Sequence, residues 1–141
     1  MKALTIHQPY AGLIMAGVKT VENRTWRPNL APGDRFAIHA GRDTDDWTVW
    51  LDVKELGTAD AARCQERGVI LGTVRYMGIV KSANELPPDK RKWFVGPLAW
   101  LIDQPQEWNL PPKVRGKLGL WDVPEGVGIL PRHDCGGIRT L

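Results

Sequence analysis

The sequence predicts an α+β domain built as a small mixed or antiparallel β-barrel with a few inserted helices. Three observations lead there. Short apolar–polar alternations recur along the chain, bounded by Gly, Pro and Asp turns. Helical patterns are short and confined to two places. The strongest strand, Val69 to Val80, carries Gly72 and Gly78 in its interior, where barrel strands bend or bulge.

Residues 2–6 open the chain as a strand. Pro9 fits the first turn of a helix, where its missing N–H breaks no bond. Leu13, Ile14 and Met15 form the apolar body of that helix, and Gly17 can take the left-handed conformation that ends it. A second strand covers about 19–26. Ala31-Pro32-Gly33-Asp34 is a turn, and Arg35 to Ala40 is a third strand with Phe36, Ile38 and Ala40 on one face. His39 lies on the opposite face, and Gly41 is expected to end the strand.

A helical insertion comes next. Thr44 suits an N-cap, Asp45 and Asp46 the first turn, and Trp47, Trp50 and Leu51 an apolar stripe that Gly57 stops. Thr58 to Arg67 reads as another helix ended by Gly68. After the strand at 69–80, Leu86 to Lys92 reads as a loop and Leu98 to Asp103 as a strand. Pro105, Pro111 and Pro112 make the following connection irregular, and Lys117 to Val123 is the last strand. A domain over 1–124 with a mobile tail over 125–141 is the expected organisation.

Composition narrows the class. The chain has 141 residues, 43% hydrophobic and 25% charged, the profile of one soluble domain with a real core. No apolar run approaches the roughly 20 residues that span a bilayer, and the N-terminal apolar stretch is short for a signal peptide, so no membrane and a cytoplasmic location are expected. Cys64 and Cys135 have no metal-ligand spacing and make no disulfide framework. His7, His39 and His133 have none either, and His133-Asp134-Cys135 is a weak cluster, so neither metal nor cofactor is expected. A net charge of +3 is compatible with a nucleic-acid partner without requiring one. Lys90-Arg91-Lys92 beside Trp93-Phe94, and Lys113, Arg115 and Lys117 before Trp121, interleave basic and aromatic residues. They can hold phosphates and stack bases, or be a solvated loop and strand face. Most of the seven tryptophans belong in the core.

The richest chemistry follows Gly17. Lys19, Glu22 and Arg24 fall within six positions. Glu22 and Arg24 share a strand face, so Lys19 joins them only from the turn before the strand. Placed together, Glu22 and Arg24 form an ion pair and Lys19 can meet an anion or activate a water; dispersed, they are a surface strand with a weak pair. Gln8 and Tyr10 flank Pro9 as further pocket residues, an amide to read a base edge and a ring to stack. His39, Thr73, Trp100 and Lys117 are candidates to complete the wall, Trp100 as a stacking ring. No phosphate-binding glycine loop and no nucleophile elbow is present.

The run Gln8-Pro9-Tyr10-Ala11, followed by Gly17-Val18-Lys19-Thr20-Val21-Glu22-Asn23-Arg24, resembles the ASCH domain family. Its Gly-x-Lys-x-x-Glu-x-Arg signature is filled at all four positions. Ile38-His39-Ala40-Gly41, Gly72-Thr73-Val74, Gly96-Pro97-Leu98-Ala99-Trp100 and Arg115-Gly116-Lys117-Leu118-Gly119-Leu120-Trp121 extend the likeness over about 3–123. The resemblance implies a PUA-like fold and binding of RNA or a nucleoside or nucleotide ligand, linked to RNA modification or coactivator-type roles, in a monomer or weak dimer. It also implies an alternative, since one branch is similar to amidohydrolases of N4-acetylcytidine that use a threonine, a lysine and a glutamate, and some members act as ribonucleases. In that branch the threonine stands three residues after the lysine, where this chain has Glu22. Thr20 would point to the other face, and Thr73-Val74-Arg75 supplies no second acid. Were the protein an enzyme, Lys19 and Glu22 would be its catalytic groups, with His39 as the partner in ribonuclease chemistry.

Overall fold

The computed structural model describes residues 1–44 and 50–127. The first element is β1 (Lys2–Gln8), whose alternation sends Leu4 and Ile6 to the main core and Ala3 to the outer face. Helix α1 (Tyr10–Met15) follows, with Ala11 to Met15 all buried. Its end is fixed by sequence. Gly17 adopts φ +78°, Gly17 N–H donates to the Ile14 carbonyl and Val18 N–H to the Leu13 carbonyl. This is the paired hydrogen-bond closure that a left-handed glycine permits. Lys19 N–H also donates to the Leu13 carbonyl, so the turn is set before β2 (Val21–Arg24) begins.

Strand β3 (Arg35–Thr44) runs parallel to β1. Two short helices, α2 (Trp50–Val53) and α3 (Thr58–Arg63), precede β4 (Ile70–Val80). Two 3-10 turns (Ala83–Glu85 and Pro88–Trp93) lead to β5 (Leu98–Glu107), and β6 (Leu120–Asp122) completes the set. The strands make one six-stranded sheet in the order β2-β5-β4-β3-β1-β6, antiparallel except for β1 with β3. The sheet curls into a half-barrel of the α+β class expected. Phe36, Ile38, Leu71, Val74 and Trp100 fill its concave side with α1 residues Ile14 and Met15. A second cluster joins Leu13, Val21, Cys64, Leu86 and Trp93, while Trp108 and Trp121 cover Ala3, Ala37 and Ile70 outside.

Several elements depart from the sequence reading, each for a long-range reason. Gly41 does not end β3: Gln8 pairs with Thr44, and a side chain at Gly41 would meet Thr5 Cγ2 at 3.2 Å. The glycine allows close approach inside the strand, and Thr44 is strand rather than helix cap. Asp45, Asp46 and Trp47 lie outside the described residues, as does the tail from 128. The helix expected to reach Arg67 ends at Arg63. The segment from 86 is not a plain loop but includes a 3-10 turn, and β2 and β6 are shorter than expected.

Strand β5 continues through Pro105. Its register with β4 slips between Thr73↔Gln106 and Arg75↔Asp103, with Gln104 at φ +47°. A proline is tolerated at such a bulge because no ladder N–H is required there. The bends expected at Gly72 and Gly78 coincide with register shifts. At Gly72 an added Cβ would stand 2.1 Å from the Gln106 carbonyl oxygen. Among the described residues no helix is long and apolar enough to cross a membrane.

Candidate functional site

A cavity of about 840 Å³ opens where β1, the α1–β2 turn, β2, α2 and the second 3-10 turn meet. That is within the range of small-molecule sites. Its lining includes Tyr10, Lys19, Glu22, Asn23 and Arg24 together with Thr5, Trp93, Val95 and Leu118. The α1 closure places Lys19 on the turn before β2, the position from which it can share a pocket with Glu22 and Arg24.

The three charges form one connected unit. Lys19 is 4% exposed and Glu22 is 7% exposed. Lys19 Nζ donates to the Val21 carbonyl and lies 3.2 Å from Glu22 Oε1. Arg24 Nε donates to Glu22 Oε2 at 2.9 Å, and Arg24 Nη2 donates to the Thr5 carbonyl at 3.1 Å. That last bond ties edge strand β2 to β1, across the mouth of the curled sheet. Glu22 therefore has one cation on each oxygen, and the unit carries one net positive charge. Two of the three ammonium N–H groups and two of the five guanidinium N–H groups are used by these contacts, so donor capacity remains for a ligand. The Tyr10 ring lies with its centroid 5.3 Å from Lys19 Nζ, a cation–π contact that steadies the ammonium.

Asn23, at one of the variable positions inside the signature, has a structural task that the sequence did not reveal. Its Nδ2 donates to the Trp93 carbonyl at 3.0 Å, and its Oδ1 accepts from Val95 N–H at 2.8 Å and Gly96 N–H at 2.9 Å. It fastens the turn that presents Trp93 and Val95 to the cavity. Lys92 Nζ reaches Asp52 Oδ1 at 3.0 Å and stands 4.6 Å from the Trp93 ring centroid, linking α2 to the same wall.

The other residues singled out from sequence sit elsewhere. Gln8 is fully buried and does not line the cavity. Its amide donates to the Arg63 and Glu66 carbonyls and accepts from Gly12 N–H, fixing α1 against α3. Trp100 is also fully buried, edge-on to Trp26 at 4.9 Å and donating to the Trp26 carbonyl. It is a core ring with no face for a ligand. Thr73 accepts from Arg35 on β3, away from the cavity.

His39 is 3% exposed on the outer face. Its Nε2 lies 2.6 Å from the Val114 carbonyl, so Nε2 carries the proton and Nδ1 accepts from Thr5 Oγ1 at 3.1 Å. Burial pushes its pKa below the ordinary imidazole value. His39 thus pins residues 113–118 to the sheet rather than facing Lys19. Lys117 is exposed on that strap, outside the cavity lining. Among the described residues no group of three or more His, Cys, Asp or Glu is placed to hold a metal.

The half-barrel carries a net-positive cavity beside its first helix–strand turn. The family model for the ASCH domain matches residues 4–96, and the chain belongs to that family. Its fold is similar to that of ASCH from Zymomonas mobilis, with 19% sequence identity, a TM-score of 0.54, and coverage of 88% of this chain and 87% of that one. A serine-to-alanine variant and a tyrosine-to-phenylalanine variant of the same Zymomonas mobilis protein match with TM-scores of 0.53 and 0.54, each at 19% identity over 88% of this chain. They cover 88% and 90% of those chains. At this identity the likeness to the solved structures shows the fold alone; the ASCH family, shown by its model, has a PUA-like fold associated with RNA binding.

Proposed function

We propose that the cavity binds a nucleoside, either as one unit of an RNA or as a free modified nucleoside. The observation that carries this reading is the gathering of Lys19, Glu22 and Arg24 at the deep end beside the Tyr10 ring. A base is flat, apolar on its faces and rich in acceptors at its edge. Tyr10 adds one aromatic wall, and the spare N–H groups of Lys19 and Arg24 offer donors to a base carbonyl or a phosphate. Glu22 orients both cations. Trp93 supplies a second aromatic wall, and the PUA-like fold of the family supports an RNA-related ligand.

A hydrolase of the N4-acetylcytidine type, or a ribonuclease, is the competing reading, with Lys19 and Glu22 as the reacting groups. Thr20 does not line the cavity. Thr5 does, but its hydroxyl is engaged by His39 Nδ1 and by Trp121 Nε1–H at 3.1 Å each. Both Glu22 oxygens are also occupied by cations, which favours holding over chemistry. In that reading a water would have to be the nucleophile.

The test is calorimetric titration of cytidine, N4-acetylcytidine and a short RNA, with nucleoside mass spectrometry on the same mixtures, for the parent protein and Lys19→Met. Binding that weakens about tenfold or more in Lys19→Met, with no new product, is expected; that factor corresponds to about 1.4 kcal/mol, an ordinary charged hydrogen bond. Equal affinity in a folded Lys19→Met protein, or no binding of any of the three, overturns the proposal. A Lys19-dependent product transfers the site to the hydrolase reading.

A further inference from the structure

One wall of the cavity is built by a break in the sheet, and a base held by Lys19 and Arg24 leaves it unused. Between the pairs Ile6↔Ala40 and Gln8↔Thr44, His7 of β1 stands alone opposite Gly41, Arg42 and Asp43 of β3. This is a β-bulge, which turns side chains out of the regular alternation of a strand. Gly41 lets the two strands meet just before it. A Cβ there would lie 3.2 Å from Thr5 Cγ2 and 3.4 Å from the Ile6 carbonyl oxygen. His7, Gly41, Arg42 and Asp43 all line the cavity.

His7 Nε2 stands 4.0 Å from Asp43 Oδ2. That gap is too long for a hydrogen bond, and one hydroxyl about 2.8 Å from each group spans it. Such a hydroxyl donates to the carboxylate and accepts from an imidazole N–H. The second carboxylate oxygen can accept from a neighbouring hydroxyl, as acidic residues do when they hold a ribose. Charge points the same way. Arg42 offsets the Asp43 carboxylate, so this wall has no net attraction for a phosphate, whereas the carboxylate itself repels one. Spacing along β1 suits a nucleoside. The Thr5 carbonyl holds Arg24 Nη2, and His7 lies about 6.6 Å further along the strand, a span comparable to that from a base edge to its ribose hydroxyls.

Accepting the nucleoside reading of the cavity, on which this step rests, we infer that His7 and Asp43 form a ribose subsite that takes an unesterified 2′,3′-diol. The ligand is then a free ribonucleoside or the last unit of a chain, because an internal unit has its 3′-oxygen esterified. A deoxyribose lacks one of the two donors, and a 3′-phosphate replaces the other with negative charge.

The experiment measures by calorimetry the affinities of cytidine, 2′-deoxycytidine and cytidine 3′-monophosphate. The proteins are the parent, Asp43→Ala and His7→Ala, each checked for folding by its melting temperature. The Asp43 side chain is 85% exposed and that of His7 53%, so the fold should tolerate both changes. In the parent, 2′-deoxycytidine and the 3′-monophosphate should each bind about tenfold weaker than cytidine, the effect of losing one hydrogen bond to a charged group. Asp43→Ala should weaken cytidine more than 2′-deoxycytidine, so that the two bind within about twofold of each other. His7→Ala should weaken cytidine about threefold, the effect of one neutral hydrogen bond. If 2′-deoxycytidine or the 3′-monophosphate binds the parent as tightly as cytidine, the ribose subsite is overturned and the nucleoside reading stands. A ribose preference that survives intact in Asp43→Ala overturns it equally. Failure of all three ligands to bind overturns both.

Discussion

Neutralising Glu22 tests whether the buried charge unit is as tightly coupled as its geometry indicates. Glu22→Gln keeps the shape and the oxygen that accepts from Arg24 but removes the charge between two cations. Arg24 has a side chain 26% exposed and can lean toward water, so its loss counts little. Lys19 cannot: its side chain is 4% exposed and its carboxylate partner is 3.2 Å away. Stripping one member from a buried pair costs about 3–5 kcal/mol. The retained hydrogen bonds place Glu22→Gln at the lower end, about 3 kcal/mol, or a melting temperature lower by about 10 °C in a domain of this size.

Lys19→Met removes the stranded cation, so the double variant Lys19→Met/Glu22→Gln should recover about 2 kcal/mol relative to the sum of the two single losses. Urea unfolding followed by tryptophan fluorescence on the four proteins measures that coupling. A loss below about 1 kcal/mol for Glu22→Gln, or strict additivity of the two changes, would refute the claim that Lys19 depends on Glu22 for its burial.

Asn23→Ala deletes the three hydrogen bonds that fasten residues 93–96, with a loss of about 1–2 kcal/mol because the exposed Val95 N–H can turn to water. Nucleoside affinity should fall along with stability; an unchanged affinity in calorimetry would detach the 93–96 turn from the site. His39, held neutral by burial, makes stability pH-dependent. Because its folded pKa lies below the unfolded one, the unfolded chain takes up the proton first. Stability is therefore full above the ordinary imidazole range and falls as pH drops through it toward the lower folded value. His39→Gln should flatten the urea midpoint between about pH 7.5 and 5 relative to the parent, and an identical slope would contradict this. Burial, with a smaller contribution from Asp60, pushes the Cys64 thiol up to about 11. Iodoacetamide at about pH 8 should leave Cys64 unlabelled in peptide mass mapping until urea is added, and rapid native labelling would show the α1–α3 contact to be loose.

What could be read from the sequence was what short-range chemistry determines. Gly17 after an apolar helix dictates the closure that puts Lys19 on a turn, and Glu22 and Arg24 then share a face by the period of a strand. The alternation of Phe36, Ile38 and Ala40 against His39 was equally local. What escaped depended on partners far along the chain. The Gln8 amide looks like a base reader until Arg63 and Glu66 arrive 55 and 58 positions later to accept its hydrogens. Trp100 looks like a platform until Trp26, Phe36 and Tyr76 surround it. Gly41 and Pro105 read as strand ends, yet the neighbouring strands use one for close approach and the other at a bulge. Asn23 stood inside the signature with no local sign of its role, because the turn it fastens lies 70 residues on.

Entry of a nucleoside into the cavity at Lys19 is tested most directly by backbone amide shift mapping by two-dimensional NMR during titration with cytidine 5′-monophosphate. The largest shifts should fall on Tyr10, Lys19, Glu22, Asn23, Arg24 and Val95, and a folded Lys19→Met protein should need about tenfold more ligand or more to reach them. Shifts centred instead on Arg35, Thr73 and Arg75, or shifts that survive the loss of Lys19 unchanged, would contradict it.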